Sequence, residues 1–402
     1  MHQDFESLHQ PPAGTPFIRD GKIKPGLMLA ACLGLTLHAA MAPGGQQSTP
    51  PLTEAASPRT LAHDACWCHE EVHRRAPIGV MYDHTHHAGG FMVGYRYSYQ
   101  RQKGMLQGSN RISNPQVFNL QSPDHGNYTS VPVSMDMHMH MLDVMYAPTD
   151  WLTLMVMPHF MDMNMVMESK GGHGHGHGHA HGHGHAHGQS HGHGGTRRMS
   201  HGTSGFGDTV VAALAPFWSG DRHQAHLGLG LGIPTGSVEE QHHGLLTHYD
   251  MQLGSGTWDL IPSLTYRGAT DRLGWGAQVL ATVRLEGENK VGYRLGDVFE
   301  ATSWVALRAT DWASVSARVA WRSEGEIRGH YNRPHRHSAP NDIQSNYGGD
   351  RLDAGFGVNL LGNGSLAGWR LATEVLVPAY QRSNGVALRD RVTLHLGLSK
   401  SW

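Results

Sequence analysis

Two stretches and one loop concentrate side chains that ligate metals. Residues 135–147 read MDMHMHMLDVMYA, and residues 151–167 read WLTLMVMPHFMDMNMVM. Between them and the middle of the chain lies a Gly-His and Ala-His tract: His173, His175, His177, His179, His181, His183, His185, His187, His191 and His193. The chain holds 33 histidines and 19 methionines among 402 residues, so imidazole and thioether are the chemistry to explain. Thioethers favour Cu(I), whereas imidazole accepts copper, nickel or zinc. Internal His tracts of this kind read as metal-binding segments, with a solvated loop as the bland alternative. Copper is the expected ion, with nickel or zinc as the other candidates.

Two smaller clusters precede the first strand-like segment. Cys66, Cys68, His69 and His73 crowd two thiols against imidazoles, a plausible soft-metal set, because a Cys-x-Cys pair closes a relaxed disulfide poorly. Asp83, His84, His86 and His87 lie within five residues. They suit either a metal or a hydrogen-bonded plug at the end of the structure that follows. His242, His243 and His248 form a weaker group. No Gly-x-Ser-x-Gly elbow, phosphate loop or His-Glu-x-x-His motif occurs, so an enzyme is not expected. A net charge of −2 with scattered signs gives no basic stripe for nucleic acid.

The elements that must position these residues are strands. From Phe91 onward, apolar and small or polar residues alternate with period two, as in Phe91, Val93, Tyr95, Tyr97 and Tyr99, or Val315, Ala317, Val319 and Trp321. Arginines such as Arg318 and Arg322 fall on the polar parity with no obvious partner. Twelve such segments lie near 91–100, 135–147, 151–163, 205–217, 223–233, 257–267, 271–285, 299–309, 313–324, 350–360, 366–378 and 389–402. The gaps alternate between short turns and long loops, and the last segment ends on Trp402. This is the pattern of a transmembrane antiparallel β-barrel with short periplasmic turns and long external loops. The expected fold is therefore all-β, about twelve strands, in the outer membrane of a Gram-negative type cell, with membrane lipid and metal ions as partners.

Parity then assigns the methionines. Leu152, Leu154, Val156 and Phe160 mark the lipid face of the third segment, which turns Met155, Met157, His159, Met161 and Met163 inward. Leu142, Val144 and Tyr146 do the same for the second, which sends Met135, Met137, Met139, Met141 and Met145 inward. Asp136, His138 and His140 take the outward parity. One interior wall should thus be lined with thioethers, either as a soft-metal path or as apolar packing.

The chain divides into residues 1–42, a signal or targeting segment with the apolar run Gly26–Ala42; residues 43–75, a disordered periplasmic linker carrying the Cys/His cluster; and residues 76–402, the barrel, with 168–204 as a His-rich external loop. Leu29-Ala30-Ala31-Cys32 also looks like a lipoprotein cleavage box.

Ala76-Pro77-Ile78-Gly79-Val80-Met81 followed by Asp83-His84-Thr85-His86-His87-Ala88-Gly89 resembles the outer-membrane transporter family named for the meta-pathway of phenol degradation. Met139-His140-Met141-Leu142 followed by Met145-Tyr146-Ala147-Pro148-Thr149-Asp150 resembles a motif of its metal-associated, Met/His-rich branch, and Tyr249-Asp250-Met251-Gln252-Leu253-Gly254-Ser255-Gly256-Thr257 resembles another block of the family. The resemblance spans residue 76 to the end of the sequence. It implies an outer-membrane barrel with a transport role and leaves the cargo open. Three functions follow for testing: a barrel that binds or passes a soft transition metal, most simply copper; a barrel channel for small hydrophobic or aromatic compounds; and a periplasmic metal-sequestering β-protein.

Overall fold

The computed structural model describes residues 71–123, 126–170 and 196–402. Cys66, Cys68, His69, the targeting segment and the Gly-His tract lie outside the described residues. Twelve antiparallel strands close into a barrel: β1 Phe91–Gln107, β2 Ser130–Thr149, β3 in two halves Leu152–Met157 and His159–Lys170, and β4 in two halves Thr196–Phe206 and Thr209–Ser219. They continue with β5 His223–Ile233, β6 Asp259–Ala269, β7 Leu273–Arg284, β8 Val298–Arg308, β9 Ala313–Glu324, β10 Gly349–Leu361, β11 Trp369–Ser383 and β12 Val386–Ser401. Each strand pairs with its neighbours in sequence, and β1 pairs with β12 from Met92↔Ser401 to Gln107↔Val386. Closure leaves no free sheet edge around the band, as a membrane barrel requires.

Period-two alternation dictates this arrangement, because successive side chains point to opposite faces. Outward positions carry exposed apolar residues such as Leu142, Leu154, Leu227, Leu229, Phe356 and Val377. Aromatic residues ring both margins of this belt. Trp151, Phe217, Trp218, Trp312, Trp369 and Trp402 lie at the short-turn end, and Phe160, Phe206, Trp258 and Phe299 at the other. Such girdles sit at the two membrane interfaces.

The barrel is not equally tall around its circumference. Strands β5 to β9 are 11 or 12 residues long, whereas β1, β2, β11 and β12 have 17, 20, 15 and 16. On β2 and β3 the outward residues become polar above Phe160, namely Asp136, His138, Asp162 and Asn164, so this side stands clear of the apolar belt. Two breaks allow the extension. Pro158 lacks the N–H a ladder needs, and Gly207-Asp208 interrupts β4 at the same level. Below them Met155↔Ala212 and Val156↔Val211 pair; above them Phe160↔Phe206 and Met165↔His201 pair.

Three expectations need correction. The gap between the last two segments is a two-residue turn, Asn384-Gly385, rather than a long loop. Asn-Gly is a strong signal for a tight hairpin. Residues 71–75, expected in the linker, pack inside the barrel, with Val72 and His73 buried. The inward arginines are paired: Arg318 Nε lies 2.7 Å from Glu374, Arg322 lies 3.0 Å from both Glu300 and Glu324, and Arg351 lies 2.9 Å from both Asp353 and Asp390.

Candidate functional site: a methionine wall closed at both ends

The interior has two unlike walls. Strands β8 to β12 supply the ion pairs just described. Across from them, β2 and β3 place methionines directly opposite one another: Met135↔Met165, Met137↔Met163, Met139↔Met161 and Met145↔Met155. Met92 of β1 stands beside Met145 and extends that row. Directly paired residues hold their Cβ atoms about 4.5–5.5 Å apart, close enough for their thioethers to touch. Met141 pairs with His159, and Met157 pairs with Val210 of β4. The wall falls into two packed clusters. Met92, Met141, Met145, Met155 and Met157 lie at the level of the apolar belt. Met135, Met161, Met163, Met165 and Met167 lie in the extension above it. Asp136, His138 and His140 face outward, hydrogen-bonded to Tyr99, Tyr97 and Tyr95 at 2.6, 2.7 and 2.6 Å.

At the short-turn end, residues 71–86 thread into the lumen, and lumen side chains hold their backbone. Ser314 donates to the Val72 carbonyl at 3.1 Å, and Arg370 to that of Ala76 at 2.5 Å. Gln278 donates to that of Met81 at 2.6 Å, and the His226 ring lies 2.7 Å from that of Tyr82. The Gly79 amide donates to Glu374 at 2.9 Å. Tyr82 takes φ 55°, a left-handed bend, and packs against Met92, Met141 and Met155. The segment is a plug.

The plug scatters the residues that sequence groups together. His73 is bound to the Thr270 carbonyl at 2.8 Å, inside the barrel. Asp83 and His84 are buried and 2.7 Å apart, whereas His87 points outward to Asp150 at 3.2 Å. The rings of His84 and His86 lie 4.9 Å apart, and each leaves its buried Nε2 without a hydrogen-bond partner. Burial, then the positive groups of His84 and Arg75, push the His86 pKa down to about 2. Burial alone would raise the Asp83 pKa; His84, Arg370 and Arg267 outweigh it and hold it well below the usual carboxylate range. Both imidazoles border a cavity of about 780 Å³ that also touches Arg75, Trp369 and Arg370.

The long-loop end is also covered. Residues between β5 and β6 and between β9 and β10 fold over the extension, and Met251, Leu253 and Ala339 pack on Met161, Met163 and Met165. Tyr249, Tyr293 and Tyr331 form the heart of this lid; Tyr249 and Tyr331 stack at 4.3 Å. His248 and Asp342, both buried, meet at 2.5 Å. Sequence reasoning missed this lid. The one available signal was the block Tyr249–Thr257, whose Ser255 and backbone are gripped by Asp208 at 2.7–2.8 Å. Among the described residues, no three His, Cys, Asp or Glu side chains come close enough to hold one metal ion.

A closed twelve-stranded barrel with an apolar outer belt, aromatic margins and a plugged lumen defines an outer-membrane β-barrel protein. Residues 174–389, more than half of the chain, match the family described as "Putative MetA-pathway of phenol degradation", and the chain belongs to that family. The fold is similar to the COG4313 outer membrane channel from Pseudomonas putida F1, with a TM-score of 0.52 and 13% identity over 82% of this chain and 100% of that one. More distant likenesses are a Pseudomonas aeruginosa FadL homologue (TM-score 0.38, 11% identity, 78% of this chain and 90% of that one) and the KdgM porin (0.35, 9%, 77% and 99%). No curated protein matches the chain. The protein resides in the outer membrane, with its belt against lipid.

Proposed function

We propose that the protein is an outer-membrane channel for small apolar compounds, aromatic ones included, which pass along the methionine wall once the plug yields. The observation that carries this reading is the wall itself. Lumens of such barrels are ordinarily polar, yet here four methionine pairs give one side two apolar stretches, separated at mid-height by His159 and by Asp143, which pairs with Arg96. Thioethers contact aromatic rings favourably, by about 0.3–1.5 kcal/mol, and adapt to varied shapes. The likeness to the Pseudomonas putida F1 outer membrane channel and the family's phenol-degradation description support the same reading.

A second reading, passage of a soft metal such as copper, draws on the same pairs, because two facing thioethers are a Cu(I) ligand set. Substitution chemistry separates the two. Changing Met137, Met163, Met145 and Met155 to Leu keeps the wall apolar and costs under about 1.5 kcal/mol per site. Entry of a labelled monoaromatic hydrocarbon into cells expressing the Leu variant should match the parent, while a Gln variant should slow it. Loss of aromatic entry in the Leu variant would overturn the apolar-solute reading. Unchanged Cu(I) uptake in that variant would overturn the metal reading.

A further inference from the structure

Above the Pro158 break, the upper halves of β3 and β4 share one inner face. Met167 stands directly across from Met199, and Met165 across from His201. Met199 and His201 are two residues apart on one strand, so they point the same way. Two more imidazoles reach this face from the lid: the His201 ring lies 5.2 Å from that of His242 and 5.3 Å from that of His248. Met167, Met199, His201, His242 and His248 border a single cavity of about 140 Å³. At ≈ 30 Å³ per water in the liquid, that is room for an ion and its remaining waters. Nothing in the plug or the lower wall requires a thioether, an exposed methionine and imidazoles to converge here.

We infer that Met167, Met199 and His201 form a capture site for a soft monovalent cation, Cu(I) or Ag(I), at the external mouth. His242 completes the rim, and His248, clamped by Asp342, packs behind His201. Thioethers donate to soft ions and not to hard ones, and such ions accept low coordination numbers. Arg336 and Lys170 border the same cavity, while Asp342 is committed to His248. The repulsion from those two cations is twice as large for a divalent ion as for a monovalent one. The site belongs to the outer surface and does not depend on which solute passes the lumen.

The test uses the full-length protein in detergent and Ag(I) at one equivalent. Because the Gly-His tract offers competing imidazoles, the readout must be specific for sulfur. At about pH 5.5, solvated imidazoles with pKa near ~6.5 are mostly protonated and release metal. X-ray absorption at the silver edge should show sulfur neighbours. Met167→Leu with Met199→Leu should remove that shell and weaken Ag(I) binding by about tenfold or more, the scale of losing one support of a metal site. Heat-modifiable gel migration checks that the variant barrel has assembled. His201→Gln, which leaves both thioethers, should keep sulfur neighbours and lose affinity. Sulfur scattering and affinity retained in the double Leu variant would overturn the capture site by placing the ion on another methionine row. Nitrogen or oxygen neighbours alone in the parent would overturn it as well, and with it the metal reading of the wall.

Discussion

His248 and Asp342 are a buried, coupled pair in the lid, and their titration should be visible outside. Burial lowers the His248 pKa, but Asp342 outweighs it, and the net shift is upward. Burial raises Asp342, and His248 with the Ala339 amide outweighs that, so its net shift is downward. A raised imidazole stabilises the fold below its unfolded pKa of ~6.5, and that stability fades as pH rises through the folded value. A depressed carboxylate stabilises above ~3.9 and fades as pH falls through its folded value. The pair therefore supports the lid most between about pH 4 and 6.5. Protection of the Tyr249–Met251 amides, taken relative to the intrinsic exchange rate at each pH, should be highest in that window, and Asp342→Asn should flatten the protection profile and cost about 3–5 kcal/mol by stranding a buried charge. A flat profile in the parent would refute the coupling. This pair was invisible in the sequence because 94 residues separate its members. The methionine parity was legible, because Leu142, Leu154 and Val156 mark in the sequence which face meets lipid.

Among the elements, the plug decides how the lumen is sealed. Its recognition is mostly through backbone carbonyls, so its side-chain sequence carries little periodic signal, and only Asp83 to His87 hinted at it. One contact makes it testable. Gly274 at the start of β7 lies against the His73 carbonyl, and a Cβ there would occupy the space of that oxygen. Gly274→Val should push the Val72–Arg74 turn out of the lumen without disturbing the outward face of β7. Limited proteolysis within residues 71–82 should rise by about tenfold or more, the equivalent of ~1.4 kcal/mol in local opening. Protection equal to the parent would mean that the turn yields in place. Strand positions were legible for the opposite reason: alternation repeats along every strand, even though the sequence underestimated how far β1, β2 and β4 rise. Their upper portions place polar residues outward, against Met or His inward on β2 and β4 and against Gln100 and Gln102 on β1, which breaks the apolar-out rule that marks a membrane strand.

For the whole molecule, the two seals act in series. The plug closes the short-turn end against the lower methionine cluster, and the lid closes the other end against the upper one. Resistances in series are set by the tighter barrier, so opening one end leaves the other limiting. Gly274→Val and Asp342→Asn act at opposite ends of the barrel and share no partner in the structure. Their stability costs should accordingly add within about 0.3–0.5 kcal/mol. Their effects on current should not. In planar bilayers each single variant should stay close to the parent's conductance, and the double variant should pass far more than the sum of the two. A large current from Gly274→Val alone would show that the lid already leaks and that the plug is the gate. A large current from Asp342→Asn alone would assign gating to the lid. Silence in the double variant would locate the barrier in the methionine wall itself, where only an apolar solute or a soft ion would cross.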